Sequence, residues 1–404
     1  MDLMSAQRVY LDHAATTPVR SEVREAMLPY LSEQFGNPSS LHEEGTLARE
    51  AIESARESIR RACSAPRHDL VFTSGGTESN NGALLGAVLA ARSRGAARPH
   101  VVTTAVEHSS VLDAMSFIEA IGGCADIVGV DGEGRVDPGR IREAITPETA
   151  IVSVQAANNE VGTLQPVREI ARETQRRGVP LHVDAVQLLG KMPLRVDELG
   201  ADLVTISAHK VEGPKGVAGL FISKAMRIER WMRGGGQERG LRGGTENVVG
   251  IIGFARAVDL AAADLERGAM SAAEKLRDAI RSAIEDLFPD ARVNTPASGA
   301  LPTILSVSFP GIEGESLVKL LDLLGVSVST GSACNAGARK PSHVLESMGR
   351  SAREIRGSLR ASLGRTSTEE EAGLFIERLR EAVERLSALA PPVVGITGNP
   401  YQGG

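Results

Sequence analysis

A chain of 404 residues, 42% hydrophobic and only 3% aromatic, has room for two packed domains with largely aliphatic cores. The formal net charge of -6 gives no reason to expect nucleic acid or an anionic membrane as a partner. No uninterrupted apolar segment is long enough to span a bilayer, and the first six residues lack a basic and apolar signal pattern, so a cytoplasmic protein is expected.

In chain order, residues 9–18 form a short strand running into a small-residue turn that ends at Pro18. Residues 21–31 and 43–63 have helical periodicity. The segment 69–81 then reads as a strand, a turn at 74–77 and a helix running on through Ala91. Such a helix start offers free backbone N–H groups and the positive end of a dipole to an anion, although Thr77 would equally serve as an ordinary N-cap. From here strands and helices alternate with short connections. Strands are expected at 100–104, 126–130, 150–155, 180–183 and 201–206, and helices at 109–121, 138–145 and 166–177. That alternation predicts βαβ units and a mostly parallel sheet covered on both faces.

Ligands collect at the carboxyl ends of such strands. Polar residues recur there: Glu107 and His108, then Asn158, Asn159 and Glu160, then Asp184 and Gln187, then Ser207, His209 and Lys210. A lysine at the lip of a buried strand is a candidate nucleophile, because desolvation weakens its hold on a proton; a solvated lysine in a loop is the plainer reading of Lys210 taken alone. Residues 233–247 form a glycine- and arginine-rich loop, and 248–287 read as one long helical strut. Beyond it, strands at 302–309, 326–329 and 357–362 and helices at 314–324 and 369–389 predict a smaller α+β layer. The proline- and glycine-rich tail from 391 onward is expected to be loosely ordered. The three cysteines, Cys63, Cys124 and Cys334, are too far apart for a CxxC metal pair. Cys63 and Cys124 read as small core hydrophobes, whereas Cys334 sits in a Gly/Ser/Ala-rich run that predicts a mobile loop.

Taken together, TSGGTESNN at 73–81, His108 in VEHSS, NNEVGT at 158–163, Asp184 in HVDAVQ, Lys210 in SAHK and Cys334 in GSAC resemble, in order, a cysteine desulfurase of the class V aminotransferases. The resemblance spans about residues 9–389. It implies the α/β fold of the pyridoxal-phosphate transferases (aspartate aminotransferase-like), with a mostly parallel large-domain sheet and a smaller α+β domain. Expected boundaries are 17–265 for the large domain, 1–16 with 266–390 for the small one, and 391–404 for the tail. The implied cofactor is pyridoxal phosphate, with Lys210 as the amine that carries it and Asp184 at its ring nitrogen. His108 stacks on the ring and moves protons, and Gln187 and Asn159 lie on the phenolic-oxygen side. Gly76, Thr77, Ser207 and His209 hold the phosphate, joined by Thr245 of a partner subunit in a homodimer. Arg360 and Asn159 bind the substrate, Arg360 gripping its carboxylate.

The resemblance further implies that L-cysteine becomes L-alanine while the Cys334 thiolate takes the sulfur as a persulfide. An iron–sulfur scaffold or another acceptor, such as a tRNA-thiolation protein, would then receive it, with no direct nucleic-acid or membrane partner. No metal is implied at the cofactor site, although Cys334 could contribute to cluster ligation in a complex. The segment 331–342 is similar to the longer-loop group of housekeeping and nitrogenase-linked desulfurases. Two departures stand out: Val211-Glu212 where many relatives carry aromatic residues, and the basic pair Arg339-Lys340 after the cysteine. The alternatives are a selenocysteine lyase or another β-eliminating enzyme on the same fold, and a silent scaffold. The mobile cysteine argues against the first, and the joint presence of Lys210, Asp184, His108, Arg360 and Cys334 against the second.

Overall fold

The computed structural model describes residues 8–331 and 341–389. Among these described residues twelve strands are distributed over three sheets: β1 (Val9–Tyr10), β2 (His68–Thr73), β3 (His100–Thr104), β4 (Cys124–Val128), β5 (Thr149–Gln155), β6 (Leu181–Asp184), β7 (Leu203–Ser207), β8 (Ala218–Ser223), β9 (Arg292–Val293), β10 (Ile304–Ser308), β11 (Val326–Ser327) and β12 (Ser358–Ser362). The large sheet has seven strands in the order β2-β8-β7-β6-β5-β3-β4. Only β8 runs against its neighbours, so the sheet is mostly parallel, as the alternation of elements requires.

The strands read as continuous apolar runs because both faces are covered. Val71, Val101, Ile151, Leu203 and Leu220 point to one side, against helices Gly76–Ser93 and Ser109–Ala120. Their sequence neighbours Phe72, Val102, Val152, Val204 and Phe221 point to the other, where Ile52, Ile170 and Phe254 from helices Glu43–Ala62, Val167–Arg177 and Val248–Glu266 close the layer. A second core lies apart from these. There Ile280 and Ile284 of helix Ala269–Leu287 and Phe375 and Leu379 of helix Glu369–Leu389 pack on Val9, Leu305, Val307 and Leu359 from the small sheets. In the three-stranded sheet, β10 is flanked by β12 and β9, both antiparallel to it, and β1 pairs in parallel with β11.

The strut expected over 248–287 is two helices. Gly268, in the left-handed region at φ 76°, separates Val248–Glu266 from Ala269–Leu287. A positive φ suits glycine, and the turn redirects the chain from the first core to the second. Periodicity could not reveal this, since the apolar pattern continues on either side of the glycine. Cys63 is buried, its thiol pushed up to about 12 by burial. Cys124 departs from expectation: it is only half-buried, because β4 is an edge strand with a partly solvated face. Among the described residues no helix is long and apolar enough to cross a membrane, and no group of side chains is arranged to hold a metal ion.

Candidate active site

The carboxyl ends of β2, β3, β5, β6 and β7 open on a cleft of about 950 Å³. One end of it is built by the start of helix Gly76–Ser93. Its N-cap, Gly75, has no side-chain capping bond, so the first backbone N–H groups are left to the cleft. A Cβ at Gly76 would come within 3.1 Å of Val186 Cγ2, a tight approach that glycine relieves. Thr77, one residue on, lines the same end with Ser207, the last residue of β7, and His209 just beyond it. Burial together with Lys210, Lys215 and Lys191 holds the His209 imidazole down to about 4, so it is neutral at pH 7.

Asp184 ends β6 and projects into the cleft floor. Its Oδ1 accepts from Val186 N at 3.0 Å and its Oδ2 from Asn80 Nδ2 at 2.8 Å. The second hydrogen of the Asn80 amide goes to Ser110 Oγ at 2.9 Å, and that hydroxyl lies 2.8 Å from His108 Nδ1. His108 caps helix Ser109–Ala120 by accepting from Ser110 N through the same Nδ1. Since Nδ1 accepts, the proton of the neutral ring sits on Nε2. Asn80 and Ser110 were not singled out from the sequence. The available signal was spacing: Thr77 and Asn80 stand three residues apart and so share a helix face.

Lys210 closes the 3-10 turn Ala208–Lys210 after β7, and its Nζ donates to the carbonyls of Ala14 at 2.6 Å and Ala15 at 2.7 Å. Gln187 Nε2 donates to the same Ala14 carbonyl at 3.0 Å. The unusual pair after the lysine is accommodated locally. Val211 is buried against Gly190, where a Cβ would fall 2.5 Å from Val211 Cγ2. Glu212 turns through a positive φ of 59° and pairs with Arg365 and Arg20. Arg360 comes from β12 of the small sheet and reaches across to the cleft, 3% exposed, donating to Asn159 O at 2.8 Å and to Asp12 Oδ1 at 2.7 Å.

Gly76, Thr77, His108, Asn159 and Asp184 thus line one cleft with Gln187, Ser207, His209, Lys210 and Arg360. Thr245 does not line it. It is exposed, on a loop tied to the domain by the buried Glu238, which accepts from Arg56 and from Phe72 N. Cys334, with Arg339 and Lys340, lies outside the described residues, as does the tail from 391. Three buried polar atoms of the cleft residues, Asn80 Oδ1, Ser207 Oγ and Arg360 Nε, have no hydrogen-bond partner among the described residues. Leaving such atoms unpaired costs about 1–3 kcal/mol each. Two of them can donate, Ser207 from the large sheet and Arg360 from the small one, so the cleft suits a ligand with two anionic groups.

Around this floor burial also neutralises two carboxyls. Glu107 is pushed up to about 8 and Glu160 to about 7 by burial, while His182, behind Asp184 in β6, is pushed down to about 4. The carboxyls bind protons more tightly folded than unfolded, so their contribution is complete below the unfolded value and is lost as pH rises through 7 to 8. His182 works the other way: its contribution is complete above the unfolded value and is lost as pH falls towards 4. Comparing wild type with Glu107→Gln isolates one of these groups: the stability of the wild type relative to the variant is expected to fall by about 2 kcal/mol between pH 6 and pH 8, read from denaturant midpoints. A difference between the two proteins that does not change over that range would contradict this.

The class-V aminotransferase family matches residues 9–375. The chain is 44% identical over 385 residues to the cysteine desulfurase IscS of Dictyoglomus turgidum, covering 95% of this chain and 97% of that one. To the cysteine desulfurase IscS of Methanosarcina thermophila it is 43% identical over 385 residues, covering 95% and 94%. Among solved structures, a NifS-like protein superposes with a TM-score of 0.87 at 39% identity, over 94% of this chain and all of the other. With a family match over residues 9–375 and 44% identity to a cysteine desulfurase over 95% of its length, the chain belongs to the class-V aminotransferase family, among its cysteine desulfurases.

Proposed function

We infer that the protein is a pyridoxal-phosphate-dependent cysteine desulfurase that converts L-cysteine to L-alanine and passes the sulfur to Cys334. The observation that carries this reading is the cleft itself: a lysine, a doubly anchored carboxylate, an uncapped helix start and a buried arginine whose Nε has no partner among the described residues converge on one space. These residues fit pyridoxal phosphate. The backbone of Gly76 and Thr77 with the unpaired Ser207 hydroxyl would hold its phosphate, Asp184 would face its ring nitrogen, and Lys210 would carry it covalently. When bound, the group draws electrons from the substrate α-carbon and so eases bond cleavage there.

The chain's own side chains supply the rest. Arg360 would hold the substrate carboxylate through its Nε, which among the described residues has no other acceptor, and Asn159 borders the same position. His108, with its proton on Nε2 and its Nδ1 held by Ser110, is a proton donor or acceptor of fixed orientation. Lys210 Nζ, when not holding the cofactor, would be placed to move protons at the substrate α-carbon. The Cys334 thiolate attacks the substrate sulfur; the carbon–sulfur bond breaks and a sulfur–sulfur bond forms. Cysteine and one enzyme thiol become alanine and one enzyme persulfide, with no external oxidant.

We propose the domain division given by the two cores, the boundary falling at Gly268 near residue 266. A homodimer is proposed as well. Leu28, Leu31, Phe35 and Leu41 expose apolar surface close together in sequence, Phe35 at 72% and Leu41 at 95%, and Thr245 sits outside its own cleft. A cytoplasmic enzyme delivering sulfur to an iron–sulfur scaffold or another acceptor protein completes the proposal. The test is to supply L-cysteine and reductant and measure alanine and sulfide. Cys334→Ala is expected to lower sulfide release about a hundredfold while leaving the absorbance of the loaded cofactor in place. Sulfide release at the wild-type rate from that variant would rule out the persulfide route.

A further inference from the structure

Lys191 has no role in the assignments above, yet it is 6% exposed in the floor behind Lys210. Burying an ammonium is costly, and an aliphatic side chain of similar volume would fill the place more cheaply. Its Nζ donates to Gln187 Oε1 at 2.5 Å. Gln187 Nε2 donates to the Ala14 carbonyl at 3.0 Å, and the same carbonyl accepts from Lys210 Nζ at 2.6 Å. A chain of hydrogen bonds therefore runs from Lys191 through Gln187 and Ala14 to Lys210. While Lys191 is protonated it only donates, and the Ala14 carbonyl only accepts, so in that form each end of the Gln187 amide has one allowed assignment. The amide cannot turn over without placing donor against donor at Lys191 and acceptor against acceptor at Ala14.

Charge adds a second link. Lys191 and Lys210 line one small cavity, together with His13, Glu212, Asp264 and Arg365. Burial, then Lys210, then Arg360 bring Lys191 down to about 7, so the two lysines oppose each other's protonation.

We propose that Lys191 is a positioning residue of the active site, which locks the Gln187 amide in one orientation and sets a second cation beside Lys210. It acts through Gln187 and Lys210 and does not touch the reacting atoms. The inference rests on Lys210 being the residue that carries the cofactor.

The test uses the resting holoenzyme without substrate, titrated by absorbance so that the midpoint of the proton bound at the Lys210 linkage is read directly. Removing the neighbouring cation favours the protonated form, so Lys191→Met is expected to raise that midpoint by about one pH unit. Lys191→Gln, which keeps a polar group in the cavity, guards against a misfolded methionine variant and is expected to shift in the same direction. The shifts of Lys191→Met and Gln187→Ala are expected to fall short of adding in the double variant, because one acts through the other. A merely structural role would lower the melting temperature and leave the midpoint alone. An unchanged midpoint in folded, loaded Lys191→Met or Lys191→Gln overturns the inference. An absorbance band that persists in folded Lys210→Ala overturns the assignment of Lys210, and this inference with it.

Discussion

Lys210→Ala is expected to lose the absorbance of the covalently held cofactor and to lower alanine formation from L-cysteine by at least about 10⁴-fold, or about 5.5 kcal/mol. Two functions end together: the covalent link and the proton transfer that the freed amine would perform. Neighbouring side chains cannot take over. Lys191 is hydrogen-bonded to Gln187 in the floor and lines the cavity behind the cleft, and His209 is neutral and bordered by cations. The fold is expected to tolerate the change, because Ala14 keeps a donor in Gln187. Retention of the absorbance band in a folded Lys210→Ala protein would defeat the assignment.

Asp184→Asn is expected to reduce turnover about 10³-fold, or about 4 kcal/mol, and to weaken cofactor retention on dialysis. Both Asp184 oxygens accept: Val186 N binds one and Asn80 Nδ2 the other. An asparagine offers a single acceptor, so one of those donors would meet an NH2 group, at about 1–3 kcal/mol. The remainder of the loss is electrostatic, since no carboxylate would face the ring nitrogen. Because Asn80 also reaches Ser110 and His108, part of the disturbance should travel to the histidine. Comparing Asp184→Asn with Asn80→Ala would separate the two parts, and wild-type turnover and retention in Asp184→Asn would remove Asp184 from the site.

Much of this cleft was legible before any coordinates. Ile151 to Val154 and Leu203 to Ile206 are mostly apolar runs of the kind a doubly covered strand produces, and a polar residue follows each of them at the sheet's carboxyl edge. Gly76, Asp184 and Lys210 are tied to such edges, so their convergence follows from strand order alone. Arg360 was legible only by resemblance, because it approaches from a different sheet, more than a hundred residues after the rest. The link from Asp184 through Asn80 and Ser110 to His108 was not legible. It depends on the angle at which two helices cross the sheet, which sequence spacing within either helix does not encode.

Lys191 marks the boundary most clearly. In sequence it is an unremarked lysine after a glycine, four residues beyond Gln187. Its burial, its bond to Gln187 and its opposition to Lys210 exist only once residues 14, 187, 191 and 210 share a few ångströms. Periodicity and motif order were enough to establish the sheet, its site-bearing edge and the chemistry to expect there, because burial pattern and turn chemistry are local. Which donor meets which acceptor, and which charges are desolvated together, is set by contacts between segments far apart in the chain, and so emerges only on packing.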